Sequence, residues 1–186
     1  MSQKISSSMQ QLGMSGGRFE IVIEPAEHKH WKSSGIDTIE FHVAANPGQP
    51  GAPLAKVASG GELSRISLAI TLLASQHSTL PTMIFDEVDS GIGGGIAEIV
   101  GQKLRQLGEK AQVFCVTHLP QVAAQGHHHL QVSKSKSKDQ TQTRISSLDA
   151  SMRIGEIARM LGGVEITDTT RDHAREMLDR ATKASL

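Results

Sequence analysis

The sequence predicts an α/β fold: a parallel βαβ core, with short antiparallel strands before it and two helices after it. Three observations carry this. Met83-Ile84-Phe85 and Val113 to Val116 are apolar on both faces, as strands covered on both sides are. Between them Ile96, Ile99, Val100, Leu104 and Leu107 recur at helical spacing, which completes a strand, helix, strand unit. Upstream, Phe19, Ile21 and Ile23, and again Ile39, Phe41 and Val43, alternate as half-buried antiparallel strands do.

The elements follow in order. Residues 1–12 carry Ile5, Met9 and Leu12 at i, i+4 and i+7, a short amphipathic helix that stops at Gly13. Two strands, Phe19 to Ile23 and Thr38 to Ala44, are joined by the polar, turn-rich stretch Glu24 to Gly35. Asn46 to Pro53 holds three prolines and two glycines and is expected to be an exposed connection. Leu63, Ile66, Ile70 and Leu73 mark the apolar face of the next helix, ahead of the βαβ unit. Leu130 to Val132 and Thr143 to Ile145 flank a Lys/Ser tip and form a hairpin. Two helices close the chain, one on Ile154, Ile157, Ala158 and Leu161 with its stop at Gly162-Gly163, the other on Ala174, Met177, Leu178 and Ala181.

Bulk properties narrow the function classes. A length of 186 residues suits one domain, or one lobe of a larger one. Lys plus Arg equal Asp plus Glu, 19 against 19, so no global charge draws the chain to nucleic acid. The single cysteine, Cys115, lies in an apolar run and is expected to be a small core residue. The polar start lacks the apolar stretch of a signal peptide, and no run reaches the roughly 18 apolar residues of a membrane span, so the protein reads as cytoplasmic, with no membrane partner.

Four features carry chemistry. Asp86 and Glu87 are adjacent carboxylates at the end of an apolar strand, where ligands sit in open α/β sheets. A Mg²⁺-nucleotide explains them economically: Asp86 holds the metal's water shell and Glu87 activates the attacking water. Ser59-Gly60-Gly61-Glu62 precedes a helical pattern. Ser59 suits the N-cap, and the glycines let backbone N–H groups approach a phosphate at the positive end of the helix dipole. His118, at the end of the second βαβ strand, is placed by a right-handed crossover at the same sheet edge as Asp86. There it would bond a phosphate oxygen and steady Glu87. Asp89, just past the carboxylate pair, forms a turn and is a candidate contact across a dimer. Taken singly, each has a plain alternative: a solvated acidic turn, an ordinary capped helix, a structural histidine.

The order of the four is that of the ABC ATPases, whose signature motif, Walker B, D-loop and switch histidine it matches. Within them, Val57-Ala58-Ser59-Gly60-Gly61-Glu62-Leu63-Ser64-Arg65, Phe85-Asp86-Glu87-Val88-Asp89-Ser90-Gly91-Ile92-Gly93-Gly94 and Val116-Thr117-His118-Leu119-Pro120-Gln121-Val122-Ala123 resemble the RecN branch, an SMC-like family. The closing Arg153 to Gly163 is similar to that family's C-terminal segment. Ala58 stands where transporter subunits usually carry Leu.

The resemblance implies a P-loop NTPase-like ABC head split between the two chain ends, with antiparallel coiled-coil arms between them. Residues 1–12 would be the end of an arm and 13–186 the C-terminal lobe of the head. It also implies ATP and Mg²⁺ as cofactors, a homodimer through an ATP sandwich, and DNA as partner in recombinational repair of double-strand breaks at the nucleoid. No Gly-x-x-x-x-Gly-Lys-Ser/Thr occurs in the chain, so a Walker A lobe is expected from elsewhere in the same protein, and the chain reads as a fragment. Asp86, Glu87 and His118 would serve one site, and Ser59, Gly60, Gly61 with Asp89 the opposing one. The alternatives are the head of another SMC-like ATPase, or a non-catalytic assembly module.

Two weaker features stand apart. His127-His128-His129 are consecutive on an extended chain and cannot all face one ligand. Lys134, Lys136 and Lys138 alternate with serines, as a solvated hairpin tip or a phosphate-contacting face would.

Overall fold

In the computed structural model, residues 1–56, 59–74, 80–137, 140–162 and 165–183 are described. Val57, Ala58, Lys138 and Gly163, named above, lie outside them. The chain forms two compact units, one of Met1–Ile92 with Phe114–Val116, the other of Gly93–Val113 with Thr117–Leu186.

The first unit is built on α1 (Ser2–Gln11), the strands β1 (Arg18–Pro25) and β2 (Asp37–Ala44), and α2 (Gly60–Ala74). The i, i+4, i+7 stripe of α1 does what its spacing predicts: Ile5, Met9 and Leu12 are fully buried, and α1 packs on β1 and α2. Ser6 ties helix to sheet, its Oγ accepting from Phe19 N–H at 2.9 Å. β1 and β2 pair antiparallel with Phe19 opposite Val43, Ile21 opposite Phe41 and Ile23 opposite Ile39. The expected connection after Asn46 contains one element the composition did not suggest. Ala52–Pro53 forms a two-residue strand, β3, on the edge of β2, the place where a proline costs a sheet least.

The helical period of α2 is as expected, but its buried face is not. Gly61, Arg65, Ile66, Leu68 and Ala69 turn inward, whereas Leu63 is 43% exposed. The spacing establishes the helix; the neighbours decide which stripe faces them, and here the stripe includes an arginine.

β4 (Thr82–Phe85) and β5 (Gln112–Cys115) form the parallel two-stranded sheet, and Val116 N–H donates to Phe85 O at 2.9 Å. Cover on both sides, expected from the apolar runs, is not found among the described residues. Ile84 is 73%, Val116 60% and Phe114 42% exposed.

The second unit contains α3 (Gly94–Gly108), the single-turn α4 (Pro120–Ala123), the hairpin β6 (Leu130–Ser137) with β7 (Gln140–Ser147), α5 (Ala150–Gly162) and α6 (Asp168–Lys183). Its core joins Ala123 and Ala124 to Ile157 and Ala158 of α5 and Ala174 of α6. α3 reaches α4 closely at Gly101, where a Cβ would stand 2.7 Å from Gln125 Cγ and 3.1 Å from Val122 Cα. Arg153 staples the turn after α4, donating to Gly126 O at 2.7 Å. Among the described residues no helix is long and apolar enough to cross a membrane.

Candidate nucleotide site

The site starts at the first turn of α2. Ser59 sits at its N-terminus, exposed, with Oγ accepting from Glu62 N–H at 3.4 Å, a long version of the expected cap. Leu63 N–H bonds Ser59 O at 3.0 Å and closes the first helical turn. Gly60 is exposed and faces the acidic turn: a Cβ there would lie 2.5 Å from Glu87 Oε2. Gly61 is buried, and its Cβ would meet both Ser90 Cβ and Ser90 O at 2.9 Å.

The acidic turn follows β4 directly. Phe85 is buried, and Asp86 and Glu87 emerge into solvent. Asp86 Oδ1 accepts from Glu87 N–H at 3.0 Å, so one carboxylate oxygen is spent on the turn. Glu87 is the only non-glycine residue at positive φ among those described, at 57°. A side chain in the left-handed region costs about 1–2 kcal/mol, and such strain concentrates where chemistry needs a particular group. Glycine would relieve the backbone here but would remove the carboxylate. The turn closes with Ser90 N–H on Glu87 O at 3.0 Å. Asp89, at its centre, is 2% exposed.

Cys115, on β5, is half-buried, and its thiol is pushed up to about 12, chiefly by burial and then by the carboxylates of Asp89 and Asp86. It is therefore an inert protonated thiol in electronegative surroundings, in line with a packing role.

The first unit thus brings Ser59, Gly60 and Gly61 beside Asp86, Glu87 and Asp89 within one chain. His118 belongs to the second unit, where it is exposed. Its neighbour Thr117 turns the chain by accepting Leu119 N–H on Oγ1 at 3.0 Å. Glu62 is half-buried in the first turn of α2 and raises the pKa of Arg65, against the larger lowering effect of burial on that guanidinium.

Two residues that the motif reading passed over turn out to organise the site. Ser64 Oγ donates to Asp86 O at 2.8 Å, and Arg65 Nη1 donates to Ser90 O at 2.7 Å. One signal was available in the sequence: Arg65 falls on the same stripe as Gly61, Leu68 and Ala69, a charge where a helix otherwise buries small and apolar groups.

The close contact at Gly61 makes a prediction. Gly61→Ala is expected to lower stability by about 1–3 kcal/mol, because backbone at Ser90 must move to admit the methyl. Gly60→Ala meets only the far end of a flexible side chain and is expected to be near neutral, helped by alanine's better helix propensity of about 1 kcal/mol. Thermal unfolding of the two variants side by side checks the order.

Comparison with known proteins points to the same family. No protein-family profile matches the chain. It is 53% identical over 178 residues to the DNA repair protein RecN of Xylella fastidiosa, covering 96% of this chain and 32% of that protein. RecN of Vibrio cholerae is 51% identical over 174 residues, 94% of this chain and 31% of the relative. RecN of Halalkalibacterium halodurans is 42% identical over 184 residues, 98% and 33%. The chain therefore spans about a third of the length of the curated relatives it matches. Among solved structures, the Smc head domain with a coiled coil and joint from Pyrococcus yayanosii superposes with a TM-score of 0.60 at 20% identity, covering 85% of this chain and 29% of that one. The Smc head domain of Pyrococcus furiosus, with an extended coiled coil and bound to the C-terminal domain of ScpA, gives 0.56 at 21% identity, 85% and 37%. At that identity the likeness shows the fold, which is the SMC-head type of α/β fold.

Proposed function

This chain belongs to the RecN family over the 32% of those proteins' length that it spans, and on that premise we propose that it is the C-terminal lobe of an ATP-hydrolysing head. Residues 1–12 are read as the end of a coiled-coil arm and 13–186 as the lobe. The rest of the protein supplies the Walker A loop. The whole assembly uses ATP hydrolysis in the repair of DNA, which it meets as partner at the nucleoid.

The observation that carries the reading is Glu87, a carboxylate kept at φ 57° directly after Asp86 at the end of β4. The donor set fits a Mg²⁺-nucleotide. Asp86 commits Oδ1 to the turn and leaves Oδ2 for a metal-bound water, while α2 offers Ser59 and the backbone N–H groups of Gly60 and Gly61 for phosphate. Bound Mg²⁺ would neutralise phosphate charge and orient the phosphates.

The chain's own residues do the rest. Glu87 accepts the proton of the attacking water, and His118 is the candidate donor to a phosphate oxygen. Ser59, Gly60 and Gly61 address the nucleotide held by a second head, while Asp89, 2% exposed, serves that contact by shaping the turn from within. In this arrangement the Glu87 carboxylate now beside Gly60 turns away, because a phosphate at the α2 N-terminus repels it.

The uncovered face of Ile84, Phe114 and Val116 supports a lobe made to be completed. At about 25 cal/mol per Å², three exposed aliphatic and aromatic side chains on a two-stranded sheet are a strong driving force for covering it. The Walker A lobe of the same protein is the cover proposed.

A steady-state phosphate-release assay tests the division of labour. The isolated chain with Mg²⁺ and ATP is expected at background, since without a phosphate-binding loop the phosphates are neither positioned nor neutralised. The full-length protein is expected to turn over. Robust hydrolysis by the isolated chain that Glu87→Gln abolishes would show that a complete site lies within these residues.

A further inference from the structure

The turn that presents Asp86, Glu87 and Asp89 is gripped from one side by two successive residues of α2. Ser64 Oγ donates to Asp86 O at 2.8 Å. Arg65 Nη1 donates to Ser90 O at 2.7 Å and, more weakly, to Val88 O at 3.5 Å. These are the carbonyls of residues i, i+2 and i+4 of a five-residue turn, so alternate peptide planes are all referred to the same helix.

Arg65 is 6% exposed. Burying a guanidinium is expensive, and a well-packed apolar side chain of similar volume usually serves stability as well or better. Here the side chain bonds backbone carbonyls, whose positions set where Glu87 and Asp89 point. The contact is also tight: a Cβ on Gly61 would stand 3.2 Å from Arg65 Nη1, so the guanidinium is wedged between the first turn of α2 and the acidic turn. α2 and the acidic turn are consequently one mechanical body.

We propose that Ser64 and Arg65 are positioning residues that couple the two nucleotide sites of a head dimer. This rests on the head reading above. In that dimer the N-terminus of α2 meets nucleotide held by the other head, while the turn gripped by Ser64 and Arg65 holds the general base of its own head. A shift of α2 on meeting phosphate is passed through three hydrogen bonds to the frame of Glu87. Hydrolysis at one site thereby registers occupancy of the other.

The test uses the full-length protein and four forms: wild type, Ser64→Ala, Arg65→Gln and Arg65→Lys. Melting temperature, kcat, KM for ATP and the Hill coefficient are measured for each, with Glu87→Gln as the control for genuine turnover. Wild type is expected to hydrolyse ATP cooperatively. Arg65→Gln is expected to lose about tenfold in kcat and to bring the Hill coefficient to one, with KM within about twofold. Arg65→Lys, which keeps one donor for Ser90 O, recovers part of both. Ser64→Ala moves both in the same direction by less, and because it removes only a hydroxyl it decides the matter should Arg65→Gln fail to fold. A residue that only fills space would lower the melting temperature and leave kcat and cooperativity of the folded protein unchanged; that result overturns the coupling. Wild type without turnover sensitive to Glu87→Gln sinks the head reading, and the coupling with it. Cooperative wild type with cooperative variants, or non-cooperative wild type, sinks the coupling alone.

Discussion

Glu87→Gln in the full-length protein is expected to reduce ATP hydrolysis by about 10²–10⁴, the usual cost of losing a general base, while ATP binding persists. Glutamine keeps the length and shape of the side chain but cannot accept the proton of the attacking water. The structure adds a reason why the backbone should tolerate the change. Glu87 already occupies the left-handed region at φ 57°, and glutamine adopts it at similar cost, so the turn closed by Ser90 N–H on Glu87 O survives. Stability is therefore expected within about 0.5 kcal/mol of wild type, as for a surface substitution. Nucleotide binding by equilibrium titration, set beside single-turnover hydrolysis, separates the steps. A variant with near-normal turnover would show that the base lies elsewhere, and Asp89 would be the next carboxylate to test.

Ser59→Arg is expected to abolish hydrolysis almost as completely, by a different route. Ser59 is exposed at the N-terminus of α2, and its cap on Glu62 N–H is long at 3.4 Å, so loss of the cap itself costs about 0.5–2 kcal/mol at most. A bulky side chain at that position instead blocks the approach of a second head. ATP affinity of each monomer should change little, because the phosphate-binding loop is untouched, and ATP-dependent dimerisation and turnover should both fall.

Mixing provides the decisive arm. Combined with a full-length variant defective in its Walker A loop, Ser59→Arg should regain activity, since a heterodimer pairs one intact signature with one intact loop. A mixture no more active than the sum of its two components would remove the trans role and leave Ser59 as a simple helix cap.

Much of the fold was legible in the chain, because the features involved are local. Alternation in Phe19–Ile23 and Ile39–Val43 specified two strands, and the structure pairs them with Ile21 opposite Phe41. The i, i+4, i+7 stripe of residues 1–12 specified a helix whose three apolar side chains are all buried. The motif residues were legible for a related reason. A Ser-Gly-Gly ahead of a helix and an Asp-Glu after an apolar strand each carry their chemistry within a few residues, and their order along the chain narrows the family.

What only the tertiary structure decided concerns which groups meet. Helical spacing gives a period but not the face that turns inward. Leu63 falls on the apolar spacing of α2 and is 43% exposed, while Arg65, which polarity alone would leave in solvent, is 6% exposed and bonds carbonyls of the acidic turn. Apolar runs gave β4 and β5 their strands, yet Ile84 stands 73% exposed, since no surface among the described residues covers it. The placement of Glu87 against Gly60, and the positive φ that holds it there, depend on residues 27 positions apart meeting in space. Sequence by itself determined which chemical groups this protein carries and in what order. The three-dimensional packing determined that Ser64 and Arg65 bind two of those motifs into one body, because hydrogen bonds between a side chain and a distant carbonyl leave no trace in local spacing.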